Sequence, residues 1–230
     1  MGRIAIIIGL FALLVAPAVS TAADLASFSD TQSVTGLKDA LRQGASDAVA
    51  SLGKQDGFLG NPKVKIPLPE PLAKAEKLMR AVGMGGQADE LVTAMNRAAE
   101  AAVPEAKTLL VDAVKQMSVQ DAKGILTGGE DSATKYFRSK TEGSLRTKFL
   151  PIVARTTQKV GLAQKYDAFA GQAAKTGLIS GENVKIENYV TQKALDGLYL
   201  TMAEQEKAFR QNPVKAGSNL ATKIFESLRR

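Results

Sequence analysis

Cysteine, histidine and tryptophan are absent from all 230 residues, and aromatic residues make up only 5%. Each absence closes a route to function. Without cysteine there is no disulfide and no thiol nucleophile, so packing alone must hold the fold. Without histidine there is no imidazole general base and no Ser-His-Asp triad. Without either, Cys/His metal sites are excluded. The acidic residues offer no replacement, because Gly129-Glu130-Asp131 lacks the Asp-x-Asp-x-Asp-Gly spacing of a calcium loop. No metal and no cofactor are therefore expected. Any catalysis is left to carboxylates, Lys, Tyr or a Ser-Lys pair.

Blocks of like charge are missing too. The formal net charge is +7, but Lys and Arg recur every few residues among Asp and Glu. That pattern reads as a solvated surface of mixed charge with a weak attraction for anionic lipid or cell-wall polymer. With few aromatics and no stacking or groove-reading motif, no nucleic-acid partner is expected.

Long hydrophobic runs are scarce. The one present, residues 4–15, follows the basic start Met1-Gly2-Arg3 and precedes Pro17 and a tail of small residues. This is the layout of a secretory signal peptide over residues 1–23, with cleavage after Ala22 or Ala23. About twelve apolar residues are too few for a bilayer, which takes about twenty; a retained anchor helix is the alternative. The expectation is a periplasmic or secreted protein with no transmembrane helix after cleavage. Residues 24–33 read as a flexible N-terminus and 34–230 as one domain large enough for a substantial core.

That domain reads as all-α. Residues 34–52 place Leu37, Leu41, Ala45, Ala48, Val49 and Leu52 on one face. Residues 71–82 form a second helix with Pro71 in its first turn, ended by the glycines of 83–86. Residues 88–117 continue the pattern across Pro104, which predicts a kink or two abutting helices. Ser118 and Asp121 outline a capping box for a short helix closed by Gly128-Gly129. Further helices are expected from Asp131 past Pro151, over 166–174, over 189–209, and after an Asn212-Pro213 start.

Residues 61–72, "NPKVKIPLPEPL", break this regime with four of the eight prolines. Proline lacks the amide donor and restricts its predecessor, so an extended arm is expected up to Pro71. Val64, Ile66 and Leu68 alternate with Lys65, Pro67 and Pro69, which half-buries the arm as a strap. The same alternation at residues 183–186 allows a very short two-stranded ribbon. The alternative is a binding edge for a partner peptide, carried by Lys65, Ile66 and Leu68.

"GLKDALRQGASDAV", "NPKVKIPLPEPL", "MNRAAEAAVPEAK", "DAKGILTGGEDSATKYFR", "KFLPIV" and "YVTQKALDGLYLTMAEQEKAFRQNP", in that order and spacing, resemble the bacterial family of domain of unknown function 4197. The resemblance runs from Gly36 to about Pro213. It implies a helical exported domain and brings no activity and no catalytic residues.

Two constellations bear on chemistry. Ser132-x-x-Lys135 with Lys175-Thr176-Gly177 imitates two motifs of serine β-lactamases. The middle motif is missing, the pair is only about forty residues apart where that fold needs a sheet, and Ser51-x-x-Lys54 matches equally well. Asn96, Arg97 and Glu100 share one helical turn at the margin of an apolar face. They are either an interhelix hydrogen-bond network or a small polar ligand site. Asp112 and Asp121 have nothing to place them with that group. Two function classes follow. One is a non-catalytic envelope protein that binds a protein partner, an anionic envelope component or a small ligand. The other is a hydrolase or lyase that works with carboxylates and Lys.

Overall fold

One helix has no fixed inner side. In the computed structural model, which describes residues 29–81, 83, 85–159, 161–175 and 185–227, α6 (Ser132–Lys159) buries Ala133, Phe137, Thr141, Leu145, Phe149, Val153 and Thr157, every fourth residue. Four residues turn an ideal helix through about 400°, so the row drifts about 40° per step and roughly 240° from end to end. Different neighbours meet it as it turns: α3 (Gly85–Ala102), α4 (Ala106–Gln116), α5 (Val119–Leu126), α7 (Leu162–Lys175) and α8 (Ile186–Gln211). Pro151 sits within α6 on an exposed position.

α1 (Asp30–Leu52) packs on α4, α5, α8 and α9 (Asn219–Ser227), and buries the face read from the sequence. It starts earlier than residue 34. Ser29 and Gln32 form a full capping box, so residues 30–33 are helical rather than a flexible lead-in. Residues 24–28 and the expected signal peptide lie outside the described residues.

α2 (Glu70–Ala81) is followed by Gly83 at φ 85, the left-handed position that glycine takes without penalty. Gly85 and Gly86 are not part of the stop; they are the first turn of α3. Pro104 divides residues 88–117 as expected, with a 3-10 turn (Val103–Glu105) between α3 and α4. The Ser118/Asp121 capping box opens α5 with both reciprocal bonds made.

Two expectations fail. Ile186 is the first residue of α8 and Lys185 precedes it, so no ribbon forms there; Asn183 and Val184 lie outside the described residues. No strand occurs among the described residues. At the other end of α8, Asn212 makes no side-chain cap bond. Pro213–Ala216 is a 3-10 turn, Gly217 reverses the chain at φ 89, and the Ser218 hydroxyl accepts from the Ala221 amide to cap α9. A proline at N1 suits a 3-10 turn as well as an α-helix, and the glycine decides between them. Leu228 lies outside the described residues.

The proline-rich arm is a strap. Val64, Ile66 and Leu68 are buried while Lys65 and Pro67 face outward. The alternation ends at Pro69, which is buried where α2 begins. Upstream, Phe58 is fully buried against Gly197 of α8. A Cβ on Gly197 would lie 2.7 Å from the Phe58 ring, so only glycine lets the loop seat. Gly197→Ala is expected to lower stability by about 1–3 kcal/mol through overpacking. Gly143→Ala, on an exposed stretch of α6 with open space around it, should raise it by about 0.5–1 kcal/mol. Urea unfolding of both variants checks the contrast.

Candidate functional site

Asn96, Arg97 and Glu100 do converge, and they converge on the chain's own strap. The Asn96 carboxamide accepts from the Ile66 amide at 2.8 Å and donates to the Ile66 carbonyl at 2.9 Å. Its remaining hydrogen goes to the Val92 carbonyl of its own helix. It mimics a neighbouring strand for a segment that has none. One Glu100 oxygen accepts from the amides of Phe58 and Leu59, at 3.0 and 3.1 Å. The other takes a 2.6 Å bond from Arg97. Arg97 also reaches Asp56 at 2.8 Å, and the Glu100 carboxylate, with Asp56, raises its pKa further. Asp56 sits at φ 64, a left-handed geometry that Asp tolerates in a turn. Tyr189 of α8 donates to the Pro67 carbonyl and Lys63 pairs with Glu204, so α8 grips the strap from the other side.

The arm residues sort accordingly. Ile66 is 1% exposed, Leu68 is buried, and Lys65 is in solvent. Both main-chain polar groups of Ile66 are engaged by Asn96.

A second buried carboxylate does the same work for α6. Glu206 accepts from the amides of Ala133 and Thr134 at 3.0 Å, and from the Thr134 hydroxyl at 3.0 Å. Those amides are unpaired by the helix itself, and the positive end of its dipole favours the anion. Arg210 bonds Glu206, the Ser132 hydroxyl and the Ile125 carbonyl, leaving its Nε buried without a partner. The Ser-x-x-Lys motif is thereby dismantled. The Ser132 hydroxyl donates to backbone carbonyls, while Lys135 pairs with Asp131 in solvent. Thr176 and Gly177 lie outside the described residues.

An open cleft exists elsewhere. It holds about 300 Å³ between α4, which contributes Leu109, Asp112, Ala113 and Gln116, and α6, which contributes Tyr136, Lys140, Thr141 and Ser144. Tyr136 donates to the Ala113 carbonyl at 3.0 Å and so ties the two walls together. The Lys140 ammonium lies 5.7 Å from the Tyr136 ring centroid, and among the described residues no carboxylate pairs with it. Asp112 spends one oxygen on Lys115 at 3.0 Å. Asp121 is held in the α5 capping box, which lowers its pKa through the Ser118 hydroxyl and amide; the charge of Lys140 assists. At the floor, Thr141 donates to the Phe137 carbonyl, so the Tyr199 hydroxyl supplies the hydrogen for their 2.8 Å bond. Burial pushes the Tyr199 phenol up to about 12, against the opposing charge of Arg138 stacked 4.6 Å from its ring centroid. A smaller recess of about 20 Å³ beside Glu206 and Phe137 has room for one water.

Sequence reasoning missed Gln116, Lys140 and Ser144, and it could not place Asp112. The usable signal was the polar spacing Tyr136, Lys140, Ser144 along α6, but which helix faces it is a tertiary fact. Among the described residues no group of carboxylates converges as a metal site, and no helix is long and apolar enough to cross a membrane.

The fold and its sites define an all-helical domain closed by internal polar clasps, with a polar cleft between α4 and α6. Residues 27–226 match the family described as Protein of unknown function (DUF4197), and the chain belongs to that family. No curated protein and no solved structure matches it.

Glu100→Ala and Glu206→Ala should each cost about 3–5 kcal/mol, because each strands a buried donor set and an arginine. Glu204→Ala, which breaks an exposed pair, should cost at most about 1 kcal/mol. Ile66→Asp should cost several kcal/mol and Lys65→Ser under about 0.5 kcal/mol. Equilibrium denaturation separates the five.

The tyrosines predict an alkaline limit. The folded Tyr199 pKa, about 12, lies above its ordinary 10.0. Its neutral form therefore contributes stability that is fully present below pH 10 and lost as pH rises through 10 to 12. Tyr136 and Tyr189, also raised by burial, act in the same direction. Melting temperature recorded from pH 8 to 12 should fall across that window, and less steeply in Tyr199→Phe.

Proposed function

We propose that the chain is exported and serves in the cell envelope as a non-catalytic binding protein whose ligand site is the α4–α6 cleft. The N-terminal pattern over residues 1–23 supports export. The observation that carries the binding reading is the contrast between two polar groups. Asn96, Arg97 and Glu100 spend their hydrogen bonds on the strap. The cleft instead presents an unpaired cation, an amide, a hydroxyl and a half-used carboxylate to solvent. Convergent polar groups in a concave site are what a small polar ligand needs. A hydrolase or lyase would have to draw on Asp112 and Lys140, which share the cleft. The binding reading is favoured because Asp112 is tied to Lys115 and Lys140 lies against an aromatic ring.

Two measurements test this. Protein purified from the envelope fraction should begin at Ala23 or Asp24 by N-terminal sequencing, and an intact Met1 would overturn export. Equilibrium dialysis of the processed protein against a small-molecule envelope extract, read by mass spectrometry, should enrich a compound that Ser144→Leu, with its cleft filled, does not retain. Equal retention by both proteins would remove the cleft from consideration.

A further inference from the structure

We infer that the outward side of the second half of α6, together with the start of α8, is a docking face for an anionic lipid bilayer. The inference does not use the cleft. It comes from where the chain's cations are left without carboxylates.

Over much of the surface the two signs of charge meet. Lys63 pairs with Glu204, Lys123 with Asp30, Lys165 with Glu90 and Lys207 with Glu130. From Gly143 to Tyr166 the chain has no Asp or Glu. Arg146, Lys148, Arg155 and Lys159 of α6 fall in that stretch, are exposed, and make no ion pair among the described residues. Singly, each is an ordinary surface cation. Together they share a side. At about 100° per residue, Lys148, Arg155 and Lys159 lie within about 40° of one another, roughly 120–160° around the axis from the buried Val153, and span about 17 Å along it. Thr147, Pro151 and Gln158, also exposed, complete that side without adding a charge. Arg146 flanks it at the α8 seam, where its guanidinium bonds Gln192.

α8 extends the face. The bonds Arg146–Gln192, Thr141–Tyr199 and Thr134–Glu206 set the two helices antiparallel in one register. That register brings the exposed Lys185, which also makes no ion pair among the described residues, level with Arg155. Opposing charges on the adjoining elements are few. Glu142 and Asp196 lie toward the other end and face Arg138. Asp89 and Glu90 of α3 are taken by Arg80 and Lys165. Glu105 before α4, Asp167 of α7 and Glu187 of α8 remain, and Lys107 follows Glu105 by two residues. Six cations against those three carboxylates leave the region at +3.

A protein partner's hot spot needs an apolar or aromatic centre. Here the exposed large apolar side chain is Leu150, at the α8 edge and only 37% exposed. An anionic bilayer needs only an extended face of one sign, because its own charge is spread in a plane. Arginine suits its phosphates. Arg155 spends Nε on the Pro151 carbonyl at 3.4 Å, and no bond among the described residues takes its two terminal nitrogens.

Co-sedimentation of the processed protein with vesicles of phosphatidylglycerol and phosphatidylcholine in equal parts tests this. The protein should pellet with them at low ionic strength and be released in about 1 M salt, where the screening length is about 3 Å. Each lysine or arginine at such a surface multiplies affinity about fivefold. Arg155→Gln combined with Lys159→Gln should therefore weaken binding about 25-fold. Lys215→Gln combined with Lys223→Gln removes the same charge beyond the far end of α8 and should leave binding within about twofold. All four side chains are exposed, so melting curves of both double variants should overlay wild type. No binding to the mixed vesicles, equal binding to phosphatidylcholine alone, or binding that survives salt would overturn the inference. So would equal losses from the two double variants, which would assign the attraction to net charge. Binding to soluble dextran sulfate without binding to vesicles would replace the bilayer by a polymer and overturn it as well.

Discussion

A proline-rich segment laid across a helical body pairs some of its own backbone groups in turns, with the Val64 and Lys65 amides on the Asn61 carbonyl, but leaves others open, the amide and carbonyl of Ile66 among them. Burying them unpaired would cost about 1–3 kcal/mol each. The rest of the structure is arranged around meeting that demand. One turn of α3 does it with three side chains: Asn96 pairs both polar groups of Ile66, Glu100 takes the amides of Phe58 and Leu59, and Arg97 neutralises Glu100 while holding Asp56. With the amides satisfied, Phe58, Val64, Ile66 and Leu68 can enter the core. Gly197 then sets how close α8 comes.

The same solution recurs at the start of α6, where Glu206 and Arg210 close a second set of open amides. In both places a buried carboxylate accepts backbone donors and is neutralised by an arginine three or four residues along its own helix. In a chain with no disulfide, these clasps tie together segments distant in sequence: 42 residues for Phe58 to Glu100 and 73 for Ala133 to Glu206. They set register more than they add net stability, since desolvating the ions offsets much of the attraction.

Local features were readable from residues alone. The Ser118/Asp121 box, the break at Pro104 and the inward alternation of Val64, Ile66 and Leu68 each need only a few neighbouring residues, and each is present in the fold. The start of α1 was misplaced because residues 30–33 carry no apolar period, and the Ser29 cap is the stronger signal there. Asn96, Arg97 and Glu100 were identifiable as a polar group at a core margin. Their partners, 30 to 42 residues upstream, were not. The α4–α6 cleft was invisible for the same reason, since Gln116 and Lys140 lie on separate helices that only tertiary packing brings face to face.

The drifting buried row of α6 has a consequence for how such a chain can vary in length. Deleting one residue midway would rotate everything beyond it by about 100° relative to the half before. A helix with one constant inner face can re-register by sliding along a single neighbour; α6 meets a different neighbour at each stage. Phe149, Val153 and Thr157 would turn away from their contacts together, and Leu150, Ala154 and Gln158 would take their places. No single compensating change elsewhere restores them. Insertions and deletions are therefore expected only in the connections between helices, and α6 acts as the ruler against which the rest of the domain is measured.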